Sequence, residues 1–201
     1  MTVHKDRFEN LMEMIKGGSA RELHDSCAEI ARLWKHAPAE DLLSLKKQLR
    51  RLDLEERESY LDAALVDIAV KRMEPFAAIA TQPGHPLWRA AVEVLSMAGA
   101  PDSLDLFISL LPLCPKKNLR DILRAIGCYS GEKVVGAVAP YLNSEEEGVF
   151  FEAVLALKKS GGPEALRYLK GSLAARRMGG SEMSTVLEAV IEEIGVTEDG
   201  G

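Results

Sequence analysis

Apolar residues recur along this chain at intervals of three and four, the spacing of one face of an α-helix, almost from end to end. No stretch alternates residue by residue as a half-buried strand would. Turn residues cut the pattern at Gly17-Gly18, Pro38, Asp53, Pro75, Pro83-Gly84 and Pro101, then at Pro115, Gly131, Asn143-Ser144, Gly161-Gly162-Pro163 and Gly179-Gly180. Several cuts carry helix-start chemistry. Ser19 with Glu22, Asp53 with Glu56 and Ser144 with Glu147 have capping-box spacing. Pro38, Pro86, Pro101, Pro115 and Pro163 stand where a first helical residue would lose no hydrogen bond. The pattern predicts about twelve helices, joined by short loops and therefore paired antiparallel.

The pairs repeat. Aligned on Gly99, Gly127, Gly161 and Gly195, each taken to end every second helix, the chain shows Leu95, Leu123, Leu157 and Ile191 four residues before the glycine. Five before it stand Val94, Ile122, Ala156 and Val190, and eight before it Ala91, Leu119, Ala153 and Leu187. These positions share one helix face, and a terminal glycine supplies a left-handed cap without steric cost. A weaker copy runs through Leu61, Ala64, Leu65 and Ile68, and another through Cys27, Ile30, Ala31 and Trp34. The alternate helices keep a register of their own: Ile79, Leu111, Leu142 and Leu173 lie 32, 31 and 31 residues apart. Two helices in a period of about 31–34 residues predict an α-solenoid.

The stretch from His85 and Pro86 through Arg89 and Ala91 to Leu95 and Gly99, with Pro101 opening the next unit, resembles the HEAT-like repeat. Ala153 to Gly161 followed by Gly162-Pro163-Glu164-Ala165-Leu166 is a second match. The unit around Gly127 departs from it, having Lys117 and Leu119 where Arg and Ala are usual, and the last unit has Thr185 in place of the Arg. The resemblance implies an all-α, α-α superhelix (HEAT-like solenoid) of about six antiparallel helix pairs. On this basis residues 1–201 form a single α-solenoid domain. Residues 1–74 are divergent helix pairs, 75–195 are HEAT-like repeats, and 196–201 form a frayed tail. A helix near 182–194 closes the core.

Composition narrows the function classes. The chain has 201 residues, with 25 Lys and Arg against 31 Asp and Glu, so its net charge of −6 disfavours nucleic acid as a main partner. No apolar run is long enough to span a membrane, and Met1 to Asn10 carries five charged or His side chains, so no signal-peptide core is expected there. Three cysteines without a CxxC pair fit a reducing cytoplasm.

Candidate chemistry is sparse. His24 and Cys27 are three apart on one predicted helix, but two ligands do not make a metal site, and the register puts Cys27 in the core. HEAT-like iron hydroxylases use His-Glu pairs; here the residues following His4, His24, His36 and His85 are Lys5, Asp25, Ala37 and Pro86. His85 reads as a cap before Pro86. Cys114 sits before a predicted helix start beside Lys116 and Lys117, which would favour its thiolate modestly. Glu145-Glu146-Glu147 places negative charge at a helix N-terminus. Gly17-Gly18 and Gly179-Gly180 lack the flanking residues of a phosphate loop.

Two basic stripes, Lys46-Lys47-Arg50-Arg51 and Lys116-Lys117-Arg120-Arg124, invite comparison with HEAT-like DNA glycosylases. They are short, and the helix bearing Lys46 has no aromatic. For these stripes a solvated face with salt bridges to Glu55, Glu56 and Glu58 is the plainer expectation, with a basic patch for an acidic protein partner and then nucleic acid as the alternatives. No cofactor, metal or catalytic residue is expected.

The functional expectation is a non-catalytic, cytoplasmic scaffold or adaptor that binds another protein along the inner face of the solenoid. The residues expected to carry it are Arg89, Lys117, Arg120, Arg124, Phe151, Leu155 and Lys158. Counted ten, six and three back from the terminal glycine, the set Phe151, Leu155, Lys158 lies opposite the core face, where the other repeats are largely polar. A neighbouring helix or a second copy of the chain could equally cover Phe151. Arrays of this size also resemble the phycobilisome-lyase-type subunits that attach or remove bilins, which makes a bilin lyase or chaperone the alternative function.

Overall fold

Helix follows helix at the punctuation described above. The computed structural model describes residues 38–51, 55–177 and 182–199. Among them there are ten α-helices, one 3-10 helix and no strand. The readings on Ser19, His4, His24, His36, Cys27 and Asp53 lie outside the described residues. Several next-but-one helices in chain order pack on each other, as repeated helix pairs require, and the fold class is the all-α, α-α superhelix. The chain divides into two compact units, Met1–Ser103 and Leu104–Gly201.

The first unit holds α1 (Ala39–Arg51), α2 (Glu55–Lys71), α3 (Glu74–Ala80) and α4 (Trp88–Ala98). Helix α4 packs on α1, α2 and α3. Its apolar face, Ala91, Val94 and Leu95, is fully buried in the register the repeat predicts, and Leu65 and Ile68 of α2 and Ile79 of α3 are buried as well. The buried Trp88 indole donates to the Ala80 carbonyl at 2.8 Å and so satisfies a C-terminal carbonyl of α3. His85 accepts the Leu87 N–H on Nδ1 at 3.2 Å in the turn that precedes α4 and does not cap the helix as expected, since the N-cap of α4 is Leu87 and carries no side-chain hydrogen bond.

Within the first basic stripe Lys46 is buried rather than solvated, whereas Arg50 stays about half exposed. Lys46 is only 1% exposed and bonds Asp62 at 2.5 Å, with Glu93 at 3.7 Å. Arg50 pairs with Glu93 at 2.9 Å and Lys47 donates to the Pro86 carbonyl. Cations of α1 thus hold carboxylates of α2 and α4. The side chains of Glu55, Glu56 and Glu58 lie outside the described residues.

Helix α5 (Pro101–Leu110) carries the boundary, and the second unit continues with α6 (Lys116–Ile126), α7 (Glu132–Val138), the 3-10 helix Ala139–Asn143, α8 (Glu147–Ser160), α9 (Gly162–Arg177) and α10 (Glu182–Asp199). Helix α8 is its centre and packs on α6, α7, the 3-10 helix, α9 and α10. That explains why α8 is apolar nearly all round: Val149, Phe150, Ala153, Val154, Ala156 and Leu157 are all buried. Ile79, Leu111, Leu142 and Leu173 are buried as their 31–32-residue spacing predicts. Arg176 of α9 closes the end of the 3-10 helix, donating to the Leu142 and Ser144 carbonyls at 2.7 and 2.9 Å with its guanidinium 4.5 Å from the Phe150 ring centre.

Four expectations need correction. Gly195 does not end a helix; α10 runs through it to Asp199, past the expected end near 194 and into the segment read as a frayed tail. Gly127 ends α6 with φ −62, an ordinary right-handed value, whereas Gly99 ends α4 in the left-handed region at φ 66. Ile191 is half-buried: α10 packs on α8 and α9, whereas Leu95, Leu123 and Leu157 have no exposed surface. Ser144 is not half of a capping box. Helix α8 starts later than that box requires, and the Ser144 hydroxyl accepts the Glu146 N–H at 3.1 Å in a turn of its own.

Candidate functional site

The face expected to bind a partner is built at the C-terminal ends of α6 and α8. These helices approach closely because Gly127 has no side chain; a Cβ there would lie 3.3 Å from the Ala156 Cβ. A second glycine acts at the other end, where Gly148 in the first turn of α8 leaves room for the Arg120 side chain, whose Cδ would be 3.3 Å from an added Cβ. Arg120 and Arg124 are one helical turn apart and reach across to the same carboxylate oxygen of Glu152 on α8. Arg120 Nε donates at 3.2 Å, and Arg124 donates through Nε at 3.1 Å and Nη2 at 2.5 Å. The Glu152 side chain is 8% exposed while those of Arg120 and Arg124 are 56% and 51% exposed. The two arginines therefore lie over a buried carboxylate and remain half in solvent.

Beside this clamp lies an open groove of about 590 Å³. Its floor is apolar, made by Gly127, Ala156 and Leu155. Leu155 is 55% exposed, unusual for a leucine in the most buried helix of its unit. Arg124, Cys128, Glu152, Lys158 and Lys159 complete the lining of the groove. Lys159 donates to the Cys128 carbonyl at 2.9 Å and so fixes the rim, and Lys158 pairs with Glu193 of α10 at 2.6 Å. The lysines occupy the last turn of α8 and Arg124 the last turn of α6, where the helix dipole favours cations.

The structure thus brings together Arg124, Leu155 and Lys158 from the expected set at one groove, with Arg120 alongside. Lys117 is exposed at the start of α6. Phe151 is half-buried against Phe150, with ring centres 5.6 Å apart, and the groove is lined by Leu155 instead. Arg89 is exposed on α4 of the first unit. Glu152, Lys159 and Cys128 were not expected. A glutamate nine residues before Gly161 could have been found as an acidic residue interrupting an otherwise apolar helix face.

The thiol of Cys114 behaves contrary to expectation. Burial, and secondarily the charge of Asp121, push its pKa up, opposite to the direction expected from the helix N-terminus and the neighbouring lysines. Burial, then Cys114, likewise raises that of Tyr141. Among the described residues no three His, Cys, Asp or Glu side chains cluster as metal ligands, and no helix is long and apolar enough to cross a membrane.

No protein-family profile and no curated protein matches the chain. Among solved structures it is similar to an engineered protein, with 16% identity, a TM-score of 0.48, and 94% of this chain and 97% of the other covered. It is also similar to a designed armadillo repeat protein, with 15% identity, a TM-score of 0.44, and 92% and 98% covered.

Proposed function

We propose that the chain is a non-catalytic scaffold or adaptor that binds another protein on the α6–α8 face of its second unit. One observation carries this: a largely exposed leucine on the floor of an open groove, flanked by cations anchored at its rim. An exposed apolar side chain inside a fixed polar border has the composition of an interface core with its rim. Stacked helices hold such a surface rigid before binding, which lowers the entropic cost of association. The partner contacts are Arg120, Arg124, Leu155 and Lys158, to which Lys159 is added; Lys117 extends the basic edge.

The experiment is affinity capture from native extract with wild type and with Leu155→Asp, after matching melting temperatures. A protein retained by wild type and lost with the variant is the expected result. Failure of wild type to retain any protein specifically defeats the scaffold reading; equal retention by both forms moves the site elsewhere.

A further inference from the structure

We infer that the α6–α8 groove takes a short acidic segment of the partner protein bearing a single aliphatic or aromatic anchor residue. This rests on the scaffold reading above and specifies its ligand. The anchor seats on Leu155, Ala156 and Gly127, where binding removes exposed apolar surface from water. The segment's carboxylates face Lys158 and Lys159. Charge decides the sign. Around the groove Arg120, Arg124, Lys158 and Lys159 stand against Glu152 and Glu193, a local excess of positive charge on a chain whose net charge is −6. A basic segment would bring like charges together over a desolvated floor, which is costly. The Lys158–Glu193 pair is partly solvated on both sides, so an incoming carboxylate can replace it at little cost. Lys159, held to the Cys128 carbonyl, points its charge from a fixed position. A volume of about 590 Å³ is ample for the anchor side chain of an extended segment laid across the helix ends.

The test begins with selection of random dodecapeptides displayed on phage against the full chain. Enriched sequences are then measured by fluorescence anisotropy with wild type, Lys158→Glu/Lys159→Glu and Leu155→Ser, each checked for an unchanged melting temperature. The expected result is enrichment of Asp/Glu-rich peptides with one recurrent apolar position. Their affinity should fall about tenfold or more in each variant and fall again as salt rises. Enrichment of basic or neutral peptides, equal binding by the variants, or no enrichment overturns the inference. So does tighter binding of a labelled oligouridylate that the lysine variant abolishes. If the partner captured by wild type in native extract survives the double lysine substitution but not Leu155→Asp, the acidic-segment inference fails and the scaffold reading stands.

Discussion

The Arg120–Glu152–Arg124 clamp should respond asymmetrically to losing its two sides. Replacing Glu152 with Met leaves two guanidiniums that are already half in solvent and can rehydrate. The three hydrogen bonds are lost, but no charge is stranded, so the cost should be about 1–2 kcal/mol. Replacing both arginines with Met leaves a carboxylate that is 8% exposed without its cations. Stranding a buried charge costs about 3–5 kcal/mol. Replacing all three with Met removes the stranded charge as well, and the triple variant should recover most of the loss, to within about 1 kcal/mol of wild type. Urea unfolding followed by far-ultraviolet circular dichroism at neutral pH measures all three. The comparison is valid only where the denaturant slope is unchanged, because stacked repeats can lose cooperativity. If Glu152→Met proves costlier than the double arginine variant, the arginines are not held in place chiefly to neutralise Glu152. If the triple variant is as unstable as the double, packing rather than charge governs the site.

Other outcomes follow from the same geometry. Leu123→Ala should cost about 2–5 kcal/mol, because the side chain is fully buried; a loss below about 1 kcal/mol would place the repeat register in error. Gly127→Ala should destabilise by about 1–3 kcal/mol through the 3.3 Å approach to Ala156, although its backbone is unstrained; no change in urea midpoint would show that α8 can shift to admit the methyl. Gly99→Ala should cost about 1 kcal/mol for the opposite reason, its φ of 66 with no near neighbour on the added methyl, and an unchanged midpoint would count against a strained left-handed cap. Cys114 should alkylate more slowly than exposed Cys128 at mildly alkaline pH, read site by site by mass spectrometry. Its raised pKa favours the neutral thiol in the fold, a contribution present below the ordinary thiol pKa and lost as pH rises through the raised one; faster reaction at Cys114 would refute it.

The helical class, the buried register of Leu95, Leu123 and Leu157, and the four-position register from Ile79 to Leu173 were legible in the sequence because they depend on periodicity alone. Apolar side chains three and four apart share a helix face whatever that face meets. The polar back of α6 and the unusual exposure of Leu155 follow from the same geometry. Three things were decided only by tertiary packing. Lys46 belongs to a charged stripe in one dimension, yet it is buried because carboxylates of α2 and α4 converge on it. Gly127 resembles Gly99 in position, but its lack of a Cβ serves the approach of α8 rather than a left-handed turn. Arg120 and Arg124 look like free surface cations until Glu152, some thirty residues away, is found beneath them. Long-range ion pairs and close helix contacts have no period. Each depends on which face of which helix arrives opposite, and that is set by the packing of whole elements rather than by any local spacing.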